Sequence, residues 1–251
     1  MSRIYTAKSQ QGFSLIEILI AMLIGLFLLG GLLQIFTGAK QSNRMQENLS
    51  RLQENGRFAM NFITRDIRLA GFWGCLNPSV PDVDIAGADN NAANGDNIDN
   101  GTDTLTLRGA FSQALEDPPG TPAVCGTAVN TAAAYYADPS STITYRINNG
   151  VLEKDAVALI EGIENMQVLY GEDTDNDATA NRYVPVNNVA NRANVVSIRI
   201  SLLVRSIDDN LTSQRITVPL YNGAPFIPAA ATDRRIRRVF TSTIAVRNRL
   251  P

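Results

Sequence analysis

One carboxylate stands where a carboxylate is costly. Glu17 is the only charged residue in the run FSLIEILIAMLIGLFLLGGLLQIF, Phe13 to Phe36. A charge at the centre of a membrane helix costs on the order of 2.5–3.5 kcal/mol. One turn inside the polar-to-apolar junction at Gly12–Phe13 the cost is smaller, and a partner is still favoured. A chain cut after Gly12 would carry a free α-amine on Phe13. In a packed assembly of such helices the carboxylate of one chain could then pair with the amine of its neighbour and set axial register between subunits. The other reading is that Glu17 snorkels to the interface or stays protonated.

Three further groups could do chemistry. Asp173, Asp175 and Asp177 alternate within EDTDND. Alternate carboxylates converging in a loop suit Ca²⁺, which takes 6–8 oxygen ligands. A complete EF-hand would carry Gly at its sixth loop position and Glu at its twelfth. Here those positions are Ala178 and Val184, so the alternatives are a different calcium loop or a solvated acidic turn. Cys75 and Cys125 are the only cysteines and are far too widely spaced for a CxxC motif. If the body lies outside the cytoplasm they read as a disulfide closing a loop of about 50 residues, worth roughly 3–4 kcal/mol; the alternative is two buried thiols. Arg234, Arg235, Arg237 and Arg238 form a basic cluster ahead of a strand, where such charges serve most simply as a solvated edge that blocks unwanted pairing.

Histidine is absent from the sequence, which removes the commonest general base and transition-metal ligand. There is no G-x-S-x-G elbow, P-loop or G-x-G-x-x-G, and no set of residues supplies nucleophile, base and orienter together. A net charge of −2 gives no reason to expect nucleic-acid binding. The expectation is a chain that is not an enzyme and carries no cofactor, calcium excepted.

The elements that must position these residues begin with a helix. At 1.5 Å per residue the Phe13–Phe36 run covers about 36 Å, enough to cross a hydrocarbon core of about 30 Å. Residues 1–12 ahead of it are polar, and no A-x-A-like site ends the run as in an ordinary secretory signal. Arg3 and Lys8 precede the span and Lys40 and Arg44 follow it, so basic residues alone do not orient it. Beyond the span, Met45, Leu49, Leu52, Ala59, Phe62, Ile63 and Ile67 recur every three or four residues. They predict an apolar stripe, with Arg44, Glu47, Arg51, Glu54, Arg65 and Asp66 on the other faces. Gly71 is a candidate C-cap. The helix so predicted, Phe13–Ala70, would be about 87 Å long. Gly25, Gly30, Gly31 and Gly38 each weaken it by about 1 kcal/mol relative to alanine and allow close approach of other helices.

The rest reads as β structure. Residues 81–103 are rich in Asp, Asn, Gly and Ala and predict a long exposed loop. Strand candidates are Asp103–Arg108, Thr142–Ile147 with a hairpin at Asn148-Asn149-Gly150 into Val151–Glu153, Val157–Ile160, Met166–Tyr170, Ile216–Leu220 and Val239–Val246. The clearest alternates Val196, Ile198, Ile200, Leu202 and Val204 with Ser197, Arg199, Ser201, Leu203 and Arg205, a half-buried strand by its period of two. Strands without intervening helices imply an antiparallel sheet. The fold class is therefore α+β, with one long N-terminal helix laid on an antiparallel sheet domain. Its divisions are a leader (1–12), a transmembrane or filament-core helix (13–36), an amphipathic continuation (37–71) and a β-rich body (72–251) with a long loop at 76–103.

The residues Gly12 to Glu17, G-F-S-L-I-E, resemble the type IV prepilin processing motif. The resemblance implies cleavage after Gly12 by a prepilin peptidase, N-methylation of Phe13, and a role for Glu17 in assembly. Gly56–Cys75, Gly162–Asp177, Asn194–Ser206 and Arg237–Leu250 resemble the PilW-type minor pilins, relatives of the J-type minor pseudopilins of type II secretion. That family implies a low-copy subunit near a pilus tip that helps prime assembly. Its implied partners are other minor pilins, the major pilin, the prepilin peptidase and a large tip adhesin. Its implied location is the inner membrane with a periplasmic body, then the pilus. The alternatives are a type II secretion pseudopilin and, from another class, a membrane-anchored periplasmic enzyme or binding protein.

Overall fold

The computed structural model describes residues 12, 14–72, 85–89, 101–109, 111, 142–219, 225–228 and 230–249. The chain divides into two compact units, Met1–Glu47 and Asn48–Pro251. Helix α1 (Leu15–Leu69) runs through both. Its run is unbroken at Gly25, Gly30, Gly31 and Gly38, and among the described residues no atom beyond the adjoining helix backbone lies within 4 Å of where a Cβ would stand at any of them. The helix ends where expected: Gly71 takes φ +74° and donates its N–H to Arg108 O at 2.9 Å.

From Asn48 onward α1 buries one stripe: Asn48, Leu52, Gly56, Ala59, Ile63, Asp66 and Ile67. Of the seven apolar residues predicted for the stripe, Leu52, Ala59, Ile63 and Ile67 are buried as expected, whereas Met45, Leu49 and Phe62 are exposed. Met45 and Leu49 lie where the body begins. Phe62 sits on the flank, between buried positions Ala59 and Asp66. Asp66, expected on an outer face, is buried because sheet residues satisfy it. Tyr145 donates its hydroxyl to Asp66 Oδ2 at 2.5 Å, and Lys154 Nζ approaches the same oxygen at 2.8 Å. Burial, then this hydrogen bond, pushes the Tyr145 hydroxyl well above its ordinary pKa. Gly56 permits a close approach, since a Cβ there would collide with the Phe240 ring.

Five strands form the first sheet: β1 (Ile85–Ala88), β2 (Thr104–Arg108), β3 (Thr142–Asn148), β4 (Val151–Lys154) and β5 (Val157–Glu161), hydrogen-bonded in that order and antiparallel throughout. The predicted hairpin joins β3 to β4, with Asn149 at φ +50° and Gly150 at φ +80° as a primed turn requires. β1 corrects the expectation of an exposed loop across 81–103. Ile85 is buried and pairs with Leu107, but IAGA has neither bulk nor alternation to announce a strand. A second sheet has the order β11 (Arg237–Ala245), β8 (Val195–Arg205), β6 (Ile163–Glu172), β7 (Arg182–Val184). A short ribbon pairs β9 (Val218–Pro219) with β10 (Pro225–Phe226).

One core joins the body. Leu52, Ile63 and Ile67 of the helix meet Leu105, Leu107, Tyr145 and Leu152 of the first sheet and Met166, Ile198, Ile200 and Leu202 of the second. β8 is not half-buried. Its other face is also covered: Leu203 packs with Ile216, Val218, Phe226 and Val239, and Ser201 shares a hydrogen bond of 2.9 Å with Thr241. A ribbon distant in sequence supplies that cover, so the strand's own period could not reveal it.

Ile63→Ala should destabilise the body by about 2–5 kcal/mol, since it opens a cavity in a fully buried position. Phe62→Ala, one residue away and 45% exposed, should change stability by less than about 1 kcal/mol. Urea unfolding followed by tryptophan fluorescence or circular dichroism checks both, and equal effects would contradict the assigned stripe.

Candidate functional site

The N-terminal site is built on bare helix. Gly12 and Ser14 are exposed, and Ser14 O accepts the first helical N–H groups from Glu17 at 3.1 Å and Ile18 at 3.3 Å. Phe13 lies outside the described residues. Glu17 is in the first turn of α1 and exposed, where the helix macrodipole favours a negative charge. Every large apolar side chain from Leu15 to Phe36 is between 52% and 80% exposed. The helix is long and apolar enough to cross a membrane. Among the described residues, no side chain forms a hydrogen bond or ion pair with this carboxylate.

The acidic loop does bring its carboxylates together: one oxygen from each of Asp173, Asp175 and Asp177 lies within 4.8 Å of the others. Each of the three carboxylates also accepts hydrogen bonds. Asp173 Oδ1 accepts N–H groups from Asn176 at 2.7 Å and Asp175 at 3.2 Å, and Oδ2 accepts that of Ala178 at 2.8 Å. Asp177 Oδ1 caps Thr179, and Asp175 Oδ2 accepts from Asn181 Nδ2 at 3.1 Å. Burial raises the Asp173 pKa, but these N–H groups outweigh it and hold the carboxyl below its ordinary value. Asn176 and Ala178 take positive φ, so the loop is a turn wound around Asp173. Cys75 and Cys125 lie outside the described residues.

The arginine cluster splits. Arg234 and Arg238 are exposed, as a solvated edge requires, and β11 is an outer strand of its sheet among the described residues. Arg237 departs from that expectation, because its side chain is fully buried. Its guanidinium holds Glu164 through Nε at 2.6 Å and Nη2 at 3.0 Å, and Asp233 through Nη2 at 2.6 Å and Nη1 at 3.2 Å. Arg205 also reaches Glu164 at 3.2 Å, and Arg235 reaches Asp233 at 3.4 Å. Burial disfavours the charge on Arg237, but the two carboxylates reverse the balance and raise its pKa. Sequence reading missed this network because Glu164 is 73 positions away. Glu172 is a second such centre: it is buried, paired to Arg182 at 2.7 Å, and accepts N–H groups from Ala190 and Asn191. Both networks staple loops to the second sheet.

The family described as Type IV Pilus-assembly protein W matches residues 131–248, and the Prokaryotic N-terminal methylation motif matches residues 7–33. The first covers Gly162–Asp177, Asn194–Ser206 and all but the last two residues of Arg237–Leu250, segments that resemble PilW-type pilins, while Gly56–Cys75 lies outside it. A type IV-like pilin from Thermus thermophilus is similar in structure, with 12% identity and a TM-score of 0.44 over 80% of this chain and 98% of that one. No curated protein matches the chain. A methylation motif leading into a helix long and apolar enough to cross a membrane, whose continuation packs on antiparallel sheets, is a type IV pilin-like fold and fits a membrane-anchored pilin. Within that class, residues 131–248 are similar to the Type IV Pilus-assembly protein W family. Family and fold point to a structural, non-enzymatic role in type IV pilus assembly, which implies contact with other pilus components.

Arg237→Ala should cost up to about 3–5 kcal/mol at neutral pH, because it removes the buried partner of Asp233 and Glu164 and leaves them only the longer contacts to Arg235 and Arg205. The pH dependence has a definite sign. Burial raises the Asp233 pKa, but Arg237 and the Arg235 N–H pull it below the ordinary 3.8. The stability it contributes in the wild type is therefore present above that value and is lost as pH falls through the lower folded value. The penalty of Arg237→Ala should accordingly shrink below about pH 4, where a stranded carboxylate can take a proton. Urea titrations at pH 7 and pH 3.5 check this.

Proposed function

We propose that the chain is a minor pilin that is cut between Gly12 and Phe13 by a prepilin peptidase, N-methylated on Phe13, and incorporated near the tip of a type IV pilus, where it helps prime assembly. The observation that carries this is a spanning helix exposed on every side with Glu17 as its only charge, one turn from the cleavage motif. In the assembled filament the carboxylate of Glu17 pairs with the Phe13 amine of a neighbouring subunit. The subunit waits in the inner membrane with its body in the periplasm, then moves into the pilus at the cell surface. Its partners are other minor pilins, the major pilin and, at the tip, a large adhesin. Cys75 and Cys125 form a disulfide in the oxidising periplasm. The same leader and fold would serve a minor pseudopilin of a type II secretion system, and neighbouring genes for a secretion channel would favour that assignment.

Glu17→Ala as the only copy should leave the protein stable in the membrane while the number of surface pili falls. Normal piliation would remove Glu17 from the assembly mechanism. The reading needs no cofactor, the acidic loop being a turn held by its own N–H groups. Calcium at about 1 mM, the range of weak extracellular sites, should leave the melting temperature unchanged, and a rise abolished by Asp175→Asn would assign the loop to calcium instead.

A further inference from the structure

Strand β11 leaves one edge of the second sheet open. Ser206 donates its N–H to Ile236 O at 2.8 Å and Val246 donates to Val196 O at 2.9 Å, one just beyond each end of the β11–β8 register. Bonded pairs alternate along an antiparallel ladder, so the even-numbered residues of β11 bond β8. The N–H and C=O groups of Val239, Thr241, Thr243 and Ala245 therefore point away from the sheet. Among the described residues none of these groups has a hydrogen-bond partner. Thr241, Thr243 and Ala245 are exposed. Sheets usually guard such an edge with lysine, proline, a bulge or brevity. The stretch VFTSTIA, Val239–Ala245, has no charge and no proline, is rich in β-branched residues and pairs with β8 without a register shift. An edge of this kind is what main-chain strand addition uses.

The charges around this edge select its occupant. Exposed Arg238 and Arg247 stand at the two ends of the open stretch. The helix borders the same strand: the Phe240 ring lies against Gly56, and Asn248 Nδ2 donates to Arg68 O at 3.3 Å and Ala70 O at 3.0 Å. Arg57 and Arg68 on that stretch of helix are exposed. On the other face of the sheet, Arg199 Nε donates to Thr243 Oγ1 at 3.2 Å. Residues 237–248 contain no carboxylate. The carboxylates at the start of the strand are engaged: Asp233 and Glu164 by Arg237, Asp208 by Asn48, and Asp209 by the N–H groups of Arg234 and Asn210. Glu54, one turn before Arg57, is exposed and offsets one of these arginines, so positive charge remains in excess among the described residues. Antiparallel pairing with a second copy would bring the Arg238 and Arg247 ends together, and like charges in contact oppose it. We infer that β11 accepts an extended segment of a different polypeptide as an added strand, one that carries Asp or Glu where it meets Arg238 and Arg247. The inference goes beyond the proposed pilin role and does not depend on it.

Two measurements test this. In the purified full-length chain in detergent, amide hydrogen exchange read by NMR should be fast at Val239, Thr241, Thr243 and Ala245 and slow at Phe240, Ser242 and Ile244. Slow exchange at the first set would mean that the chain covers its own edge, and it overturns the inference. In the cells that make the protein, a benzophenone amino acid at Ala245 should on illumination join the full-length chain to a different polypeptide. Tandem mass spectrometry should map the adduct to a segment that carries Asp or Glu. Thr243→Pro removes one outward N–H and no bond of the β11–β8 ladder, so the amides of Phe240 and Ser242 should stay slow while the adduct yield falls at least about fivefold. Thr243→Val, which removes only the hydroxyl, should leave the yield unchanged. Arg238→Glu should lower it, since it sets a carboxylate against carboxylates. No adduct overturns the inference. So does an adduct to a second copy or to a segment without carboxylates, or a yield that neither Thr243→Pro nor Arg238→Glu lowers.

Discussion

Every large apolar side chain of the helix from Leu15 to Phe36 is exposed among the described residues. A soluble monomer could not tolerate so many large apolar side chains in water, at roughly 25 cal/mol for each Å² left exposed. The segment fits lipid or a bundle of other such helices, and Glu17 is compatible with either at the boundary or with a partner. That constraint separates the chain into a part whose environment is supplied from outside and a body that satisfies itself.

The body solves its own problem through the second half of the same helix. Leu52, Ala59, Ile63 and Ile67 close the core over two antiparallel sheets. Asn48, Asn55 and Asp66 fix the helix by directional contacts to Asp208, Glu161 and the Tyr145–Lys154 pair. Gly56 lets the backbone come against Phe240. Polar groups thus set where the helix sits along the sheets, while apolar burial supplies most of the free energy. The Arg237 and Glu172 networks hold the loops around the second sheet in a similar way, by pairing charges that would be costly to bury alone.

What could be read in advance follows from range. Local signals were legible: the spanning run, the Gly71 terminus, the Asn149-Gly150 hairpin, the alternation of β8, and the motif around Gly12, Phe13 and Glu17. Features made by distant segments were not. Asp66 looks like a solvent residue until Tyr145 and Lys154 arrive from the first sheet. Arg237 looks like one of four surface arginines until Glu164 is placed beside it. β1 pairs through its backbone and has little side-chain pattern to show. The acidic triplet was legible as a convergence of carboxylates, but the N–H groups that fill Asp173 depend on positive φ at Asn176 and Ala178, which composition does not display.

The account turns on whether the charge at Glu17 meets a chain end created by cleavage. Intact-mass and peptide mass spectrometry of the protein isolated from its native membrane measures that end directly. The account predicts a mature chain that starts at Phe13 with one methyl group on its amine and lacks residues 1–12. A chain that still carries those residues, or that starts elsewhere, would contradict it.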